Sequence, residues 1–172
     1  MSPRPYHVLF LCTGNTARSI LAEGILRRDG AGRFVAHSAG SQPKGVVNPW
    51  ALRILAAHGY PADGFRSKSW DEFSGADAPG MDFIITVCDN AAGEVCPIWP
   101  GRPMAAHWGV ADPAAVAGSD TDKERAFAAA FGFLKQRIDA FLALPMAESD
   151  AMALAEKVRA IGKLAGASAK AT

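Results

Sequence analysis

The chemistry of this chain is concentrated in one stretch, Cys12-Thr13-Gly14-Asn15-Thr16-Ala17-Arg18-Ser19. Cys12 ends an apolar run, His7 to Leu11, and Ser19 opens a segment with Leu21, Ala22, Ile25 and Leu26 at helical spacing. Between them, Gly14 and Asn15 are residue types that tolerate positive φ. The backbone N–H groups of Thr13, Gly14, Asn15, Thr16 and Ala17 can therefore converge as an anion nest. The helix N-terminus behind them adds free N–H groups and its dipole. Arg18 offers a planar fork to two oxygens of a tetrahedral anion, where a lysine would offer only a point charge. A cysteine so placed is expected to ionise readily, its pKa falling from about 8.5 to roughly 4–7. The Ser19 hydroxyl is placed to donate to its sulfur. The stretch reads as a nucleophilic thiolate in a cradle for a tetrahedral oxyanion.

Such a cradle needs elements to hold it. Strands are predicted at about 6–11, at Arg33-Phe34-Val35-Ala36-His37, at Asp82 to Val87 and at about Met104 to Trp108. The third is apolar almost throughout, as in a strand buried on both faces. Helices are predicted at about 18–30, from the cap Asn48 with Pro49 to just before Gly59, near Trp70 to Phe73, and at about 121–144. The last carries Phe127, Phe131, Leu134, Ile138, Phe141 and Leu142 as a core stripe. Strands alternating with helices predict an α/β fold of three layers, a four-stranded parallel sheet with helices on both faces. Ligands of such sheets bind beyond the carboxyl ends of the strands. Cys12, Cys88 and Asp112 all follow predicted strand ends, so they are expected on one edge.

Cys88 and Cys96 bracket a second segment. As one straight helix it would hold their Cα atoms about 12 Å apart, whereas a disulfide needs less than roughly 7 Å. Gly93, Pro97 and Pro100 disfavour a rigid helix, so a bend that brings the thiols together is plausible. Two thiols near a reactive thiolate suit a redox relay. The plainer alternative is that both pack as small apolar residues.

The spacing Cys-x5-Arg-Ser resembles the low-molecular-weight tyrosine phosphatases and the arsenate reductases built on the same fold. The resemblance covers about residues 7–145 and includes Ser38-Ala39-Gly40, Asn48-Pro49 and Asp112-Pro113. The stretch from Val87-Cys88-Asp89 to Cys96-Pro97, with His107-Trp108-Gly109 and Asp112-Pro113-Ala114, is similar to the three-cysteine, thioredoxin-coupled reductases. That resemblance implies reduction of arsenate to arsenite. Cys12 would attack arsenic, Asp112 would protonate the departing oxygen, and Cys88 and then Cys96 would take over the oxidation. A thioredoxin-like dithiol would reduce the resulting disulfide; glutaredoxin or a small thiol is the alternative donor. Some members of the class bind potassium, at positions matched here by Asn15, Glu23 and Ser38, but no required metal is expected. Tyrosine phosphatases usually follow the aspartate with aromatic residues that wall the substrate ring, and Ala114-Ala115 cannot do so. A phosphomonoester hydrolase using Cys12, Arg18 and Asp112 is the runner-up, and a non-catalytic oxyanion or redox sensor a third reading.

The bulk properties agree with a small intracellular enzyme. The chain has 172 residues, a net charge of +1 and three cysteines. This predicts one domain at 1–146, no nucleic-acid surface and no disulfide framework. With no signal peptide and no apolar run of about 20 residues, a cytoplasmic monomer without membrane attachment is expected. Residues 147–172 lie outside the resemblance. Leu154, Val158, Ile161 and Ala165 form a weak stripe there, read as a surface helix with a frayed end, or alternatively as a dimer contact.

Overall fold

A computed structural model describes residues 4–75, 77–88, 103–146 and 150–167. Strands β1 (Tyr6–Cys12), β2 (Phe34–Gly40), β3 (Phe83–Thr86) and β4 (Met104–His107) form a four-stranded parallel sheet in the order β2-β1-β3-β4. The helices are α1 (Arg18–Asp29), α2 (Pro49–Ala57), α3 (Asp120–Leu142) and α4 (Ala151–Ile161), with short 3-10 helices at Trp70–Phe73 and Pro113–Ala115.

The central strand explains the layers. In β1, Val8 and Phe10 join the core that includes α1, α2, α3 and α4. Leu9 and Leu11 point to the other face and pack with Phe73 and Met81. The helix α1 is buried from Ser19 to Leu26, more completely than its one-sided apolar pattern predicts, because the sheet, α2 and α3 all pack against it. Strand β2 runs past its predicted end at His37, since Ser38, Ala39 and Gly40 continue the ladder opposite Phe10, Leu11 and Cys12. That extension brings the end of β2 alongside Cys12.

Local signals set the helix ends. Asn48 accepts from the Trp50 N–H at 2.9 Å, and Pro49 follows as the first residue of α2. A reciprocal capping box between Ser119 and Asp122 starts α3. Asp150 accepts from the Met152 and Ala153 N–H groups and starts α4. The C-terminal stripe departs from expectation: Leu154, Val158 and Ile161 are buried against this chain's own sheet and α3, while Ala165 is exposed. Among the described residues no helix is long and apolar enough to cross a membrane.

Candidate active site

Cys12 is the last residue of β1, and Arg18 is the first of α1. The loop between them turns at Asn15, with φ of 48°. Asn15 is fully buried, and its side chain explains why it holds this conformation. Its amide N–H groups donate to Ser19 Oγ at 2.8 Å and Ser38 Oγ at 3.0 Å, and its oxygen accepts from the Lys68 N–H at 2.9 Å. Gly14 does not take a positive φ; its missing Cβ faces the stem of Lys44 at an ordinary 3.6 Å. The glycine the cradle depends on is Gly40. A Cβ there would come within 2.4 Å of the Thr13 carbonyl oxygen and 2.8 Å of that of Cys12.

The segment after β2 fastens the loop from outside. The N–H groups of Gln42, Lys44 and Asn48 donate to the carbonyls of Thr13, Gly14 and Thr16 at 3.0, 3.2 and 2.9 Å. Across a planar trans peptide the N–H points opposite to the carbonyl. The N–H groups of Gly14, Asn15 and Ala17 are therefore turned away from that segment. The N-terminus of α1 has no side-chain cap, so its first N–H groups remain for a ligand.

A cavity of about 220 Å³ opens over this loop, lined by Cys12, Thr13, Gly14, Thr16, Ala17, Arg18, Gln42, Lys44, Asp112 and Ala114. No aromatic ring lines it among the described residues. Arg18 Nη1 donates to the Val110 carbonyl at 2.8 Å, and Nη2 lies 3.7 Å from Asp112 Oδ2. Arg18 Nε is buried and has no hydrogen-bond partner among the described residues. An oxyanion in the cavity would supply that acceptor, which otherwise leaves an unsatisfied donor. Asp112 accepts from the Ala114 N–H at 2.9 Å through one oxygen, leaving the other on the Arg18 side. Its side chain is partly exposed, so it can exchange protons with solvent.

The structure brings Cys88 against Cys12. The Thr13 N–H donates to Cys88 Sγ at 3.3 Å, which sets that sulfur beside the end of β1, and Cys88 is the leading influence on the ionisation of Cys12. Both cysteines are buried, so Cys88 is not the exposed thiol a mobile relay would suggest. This contact corrects the expected ionisation of Cys12. Cys88 pushes its pKa well up, burial adds to the rise, and the Arg18 charge pulls only partly the other way. Two sulfurs in contact titrate as a pair, and the charge on one resists ionisation of the other. Cys96 lies outside the described residues.

Ser19 is fully buried and accepts the Asn15 bond through its oxygen, so its proton remains for another acceptor. Glu23 closes the network: Ser38 Oγ donates to one of its oxygens and Arg27 to the other. The acceptors matched to a potassium site are thus used internally, with the Arg27 guanidinium supplying the positive charge. Lys44, which the sequence alone reads as solvated surface able at most to steer a dianion, lines the cavity, and so does Gln42, which no sequence pattern marks. Their signal lay in the fold rule itself: β2 ends on the same edge as β1, so the loop after it must flank the cradle.

A family model described as low molecular weight phosphotyrosine protein phosphatase matches residues 7–159. An arsenate reductase of Halalkalibacterium halodurans is 34% identical over 134 residues, covering 78% of this chain and 93% of that protein. A solved arsenate reductase in the phosphate binding state superposes with a TM-score of 0.65 at 27% identity, over 80% of this chain and 97% of that one. A thioredoxin-dependent arsenate reductase of Corynebacterium glutamicum shares the fold, with a TM-score of 0.57 at 22% identity, over 83% of this chain and 64% of that one.

Proposed function

This chain belongs to the low molecular weight phosphotyrosine protein phosphatase family, and on that premise we propose that it reduces arsenate to arsenite through Cys12, Cys88 and Cys96. The observation that carries the reading is that the Cys88 sulfur, held by the Thr13 N–H, lies beside Cys12 in the lining of an oxyanion cradle. A phosphatase needs only Cys12.

Arsenate binds to the N–H groups of Gly14, Asn15 and Ala17, with Arg18 Nε and Nη2 on its oxygens and Lys44 lining the cavity. Cys12 attacks arsenic as its thiolate, while the proton the pair shares stays on Cys88. An S–As bond forms, an As–O bond breaks, and Asp112 protonates the departing hydroxyl to water. Cys88 then loses its proton and attacks Cys12 Sγ. A Cys12–Cys88 disulfide forms as the S–As bond breaks, and its electron pair stays on arsenic, which leaves as arsenite. Cys96 attacks Cys88, frees Cys12 and leaves a Cys88–Cys96 disulfide. A thioredoxin-like dithiol reduces that bridge by exchange; glutaredoxin or a small thiol is the competing donor.

The reading includes no potassium, since Glu23, Ser38 and Asn15 already satisfy one another and Arg27. It places the enzyme in the cytoplasm, where thiols are kept reduced. It takes the chain as a monomer, because Leu154, Val158 and Ile161, the alternative dimer contact, are buried within one copy. The domain reading remains 1–146 with a C-terminal extension. The absence of an aromatic ring among the described lining residues favours a small inorganic oxyanion over an aryl phosphate.

The test is arsenate-dependent NADPH oxidation with thioredoxin and its reductase, run beside hydrolysis of p-nitrophenyl phosphate. Sustained oxidation that is lost in Cys88→Ser and Cys96→Ser supports the relay. Phosphate release without arsenate-dependent oxidation would make the protein a phosphomonoester hydrolase.

A further inference from the structure

The C-terminal segment reaches the catalytic arginine. Helix α4 lies along the edge strand β4: the Trp108 indole N–H donates to the Val158 carbonyl at 2.9 Å, and Arg159 Nε donates to the Ala105 carbonyl at 3.3 Å. Gly162 sits so close to β4 that a Cβ there would come within 2.1 Å of the His107 carbonyl oxygen. The chain then turns at Gly166, φ +86°, against the Phe133 ring, and Ala167 forms an antiparallel bridge with Val110. Arg137, fully buried in α3, holds this turn. Its Nη1 donates to the carbonyls of Phe133 and Ala165, both at 3.0 Å, and its Nη2 to that of Leu164 at 3.1 Å.

Val110 is the residue whose carbonyl accepts Arg18 Nη1, and its own N–H donates to the Val87 carbonyl at 3.2 Å. One residue therefore joins the tail, the end of β3 beside Cys88, and the guanidinium. With Nη1 pinned, the plane of the Arg18 fork is set before an anion arrives, and less side-chain freedom is lost on binding. We propose that residues 162–167 are a positioning strap for Arg18, acting through the Val110 carbonyl to hold Nε and Nη2 toward the oxyanion. The strap acts on oxyanion binding, so it rests on the cradle reading and not on which oxyanion is turned over.

The test is a double-mutant cycle read as affinity for inorganic phosphate, by calorimetry or by protection of Cys12 from alkylation. Deletion of residues 163–172 is expected to weaken phosphate binding about tenfold, the effect of one hydrogen bond's worth of misplacement. In an Arg18→Lys background, which lacks the pinned guanidinium, the same deletion is expected to change affinity by less than about twofold. Gly166→Val, which strains the turn and displaces Phe133 without shortening the chain, carries the same cycle if the deletion does not fold. A folded variant with parental phosphate affinity would overturn the proposal. So would equal weakening with Arg18 and with Lys at that position, the result of a purely structural role.

Discussion

Cys88, set against the end of β1, is the leading cause of the upward shift of the Cys12 thiol. The first consequence is chemical: ionising Cys12 costs more than its place at a helix N-terminus alone would suggest. In Cys88→Ala the largest cause of the rise is gone. The Cys12 titration, followed by thiolate absorbance, is expected to move to lower pH, while phosphate binding survives and arsenate turnover is lost. An unmoved or higher midpoint would contradict the pairing. Asp112 lines the cavity beside Arg18, and Asp112→Asn is expected to slow the first turnover by about 10²–10⁴ with little change in phosphate affinity. Rapid-quench measurement of the single-turnover rate reads this. At this scale the gathering of Cys12, Arg18 and Asp112 around one cavity was legible, because residue type and spacing point to it directly. The raised pKa was not, because it depends on the side-by-side placement of β1 and β3, which brings residues 12 and 88 together.

The elements impose their own constraint at the junction of β2 with the loop. Gly40 is packed so closely on the Thr13 and Cys12 carbonyls that no side chain fits without moving backbone. Gly40→Ala is expected to lower both Tm and phosphate affinity, whereas Gly14→Ala, which meets only the Lys44 stem, is expected to change either far less. Calorimetry and phosphate titration on the pair distinguish them. Strands β1 and β2 also bring His7 Nδ1 to 2.9 Å from His37 Nε2. Burial, then His7, then Lys68 push His37 from its usual 6.5 down to about 4. Folding thus favours the neutral ring: no penalty exists above pH 6.5, and one grows as pH falls from about 6.5 to 4. Tm is expected to drop across that window, and by less in His37→Gln. The strand and helix positions were readable from periodicity, caps and Pro49. Which glycine mattered was not, since close approach is a property of the packed sheet.

At the scale of the whole molecule, a parallel sheet gathers the ends of β1, β3 and β4 at one edge, and α4 with the turn after it braces that edge through Leu154, Val158 and Ile161. Amphipathic spacing announced a helix around Leu154 and Val158, but spacing carries no information about where such a helix docks. Its place along β4 follows from an edge strand that needs cover and from Trp108, whose buried indole N–H needs an acceptor. The sheet makes relay chemistry possible, because it brings two sulfurs 76 positions apart in sequence to the same loop. The most direct measurement is a non-reducing peptide mass map of Cys96→Ser after a single exposure to arsenate, with arsenite counted in the same sample. One Cys12–Cys88 disulfide for each arsenite released is the expected result. Arsenite formed while both thiols stay reduced, or no arsenite with the cradle intact and phosphate bound, would contradict the account.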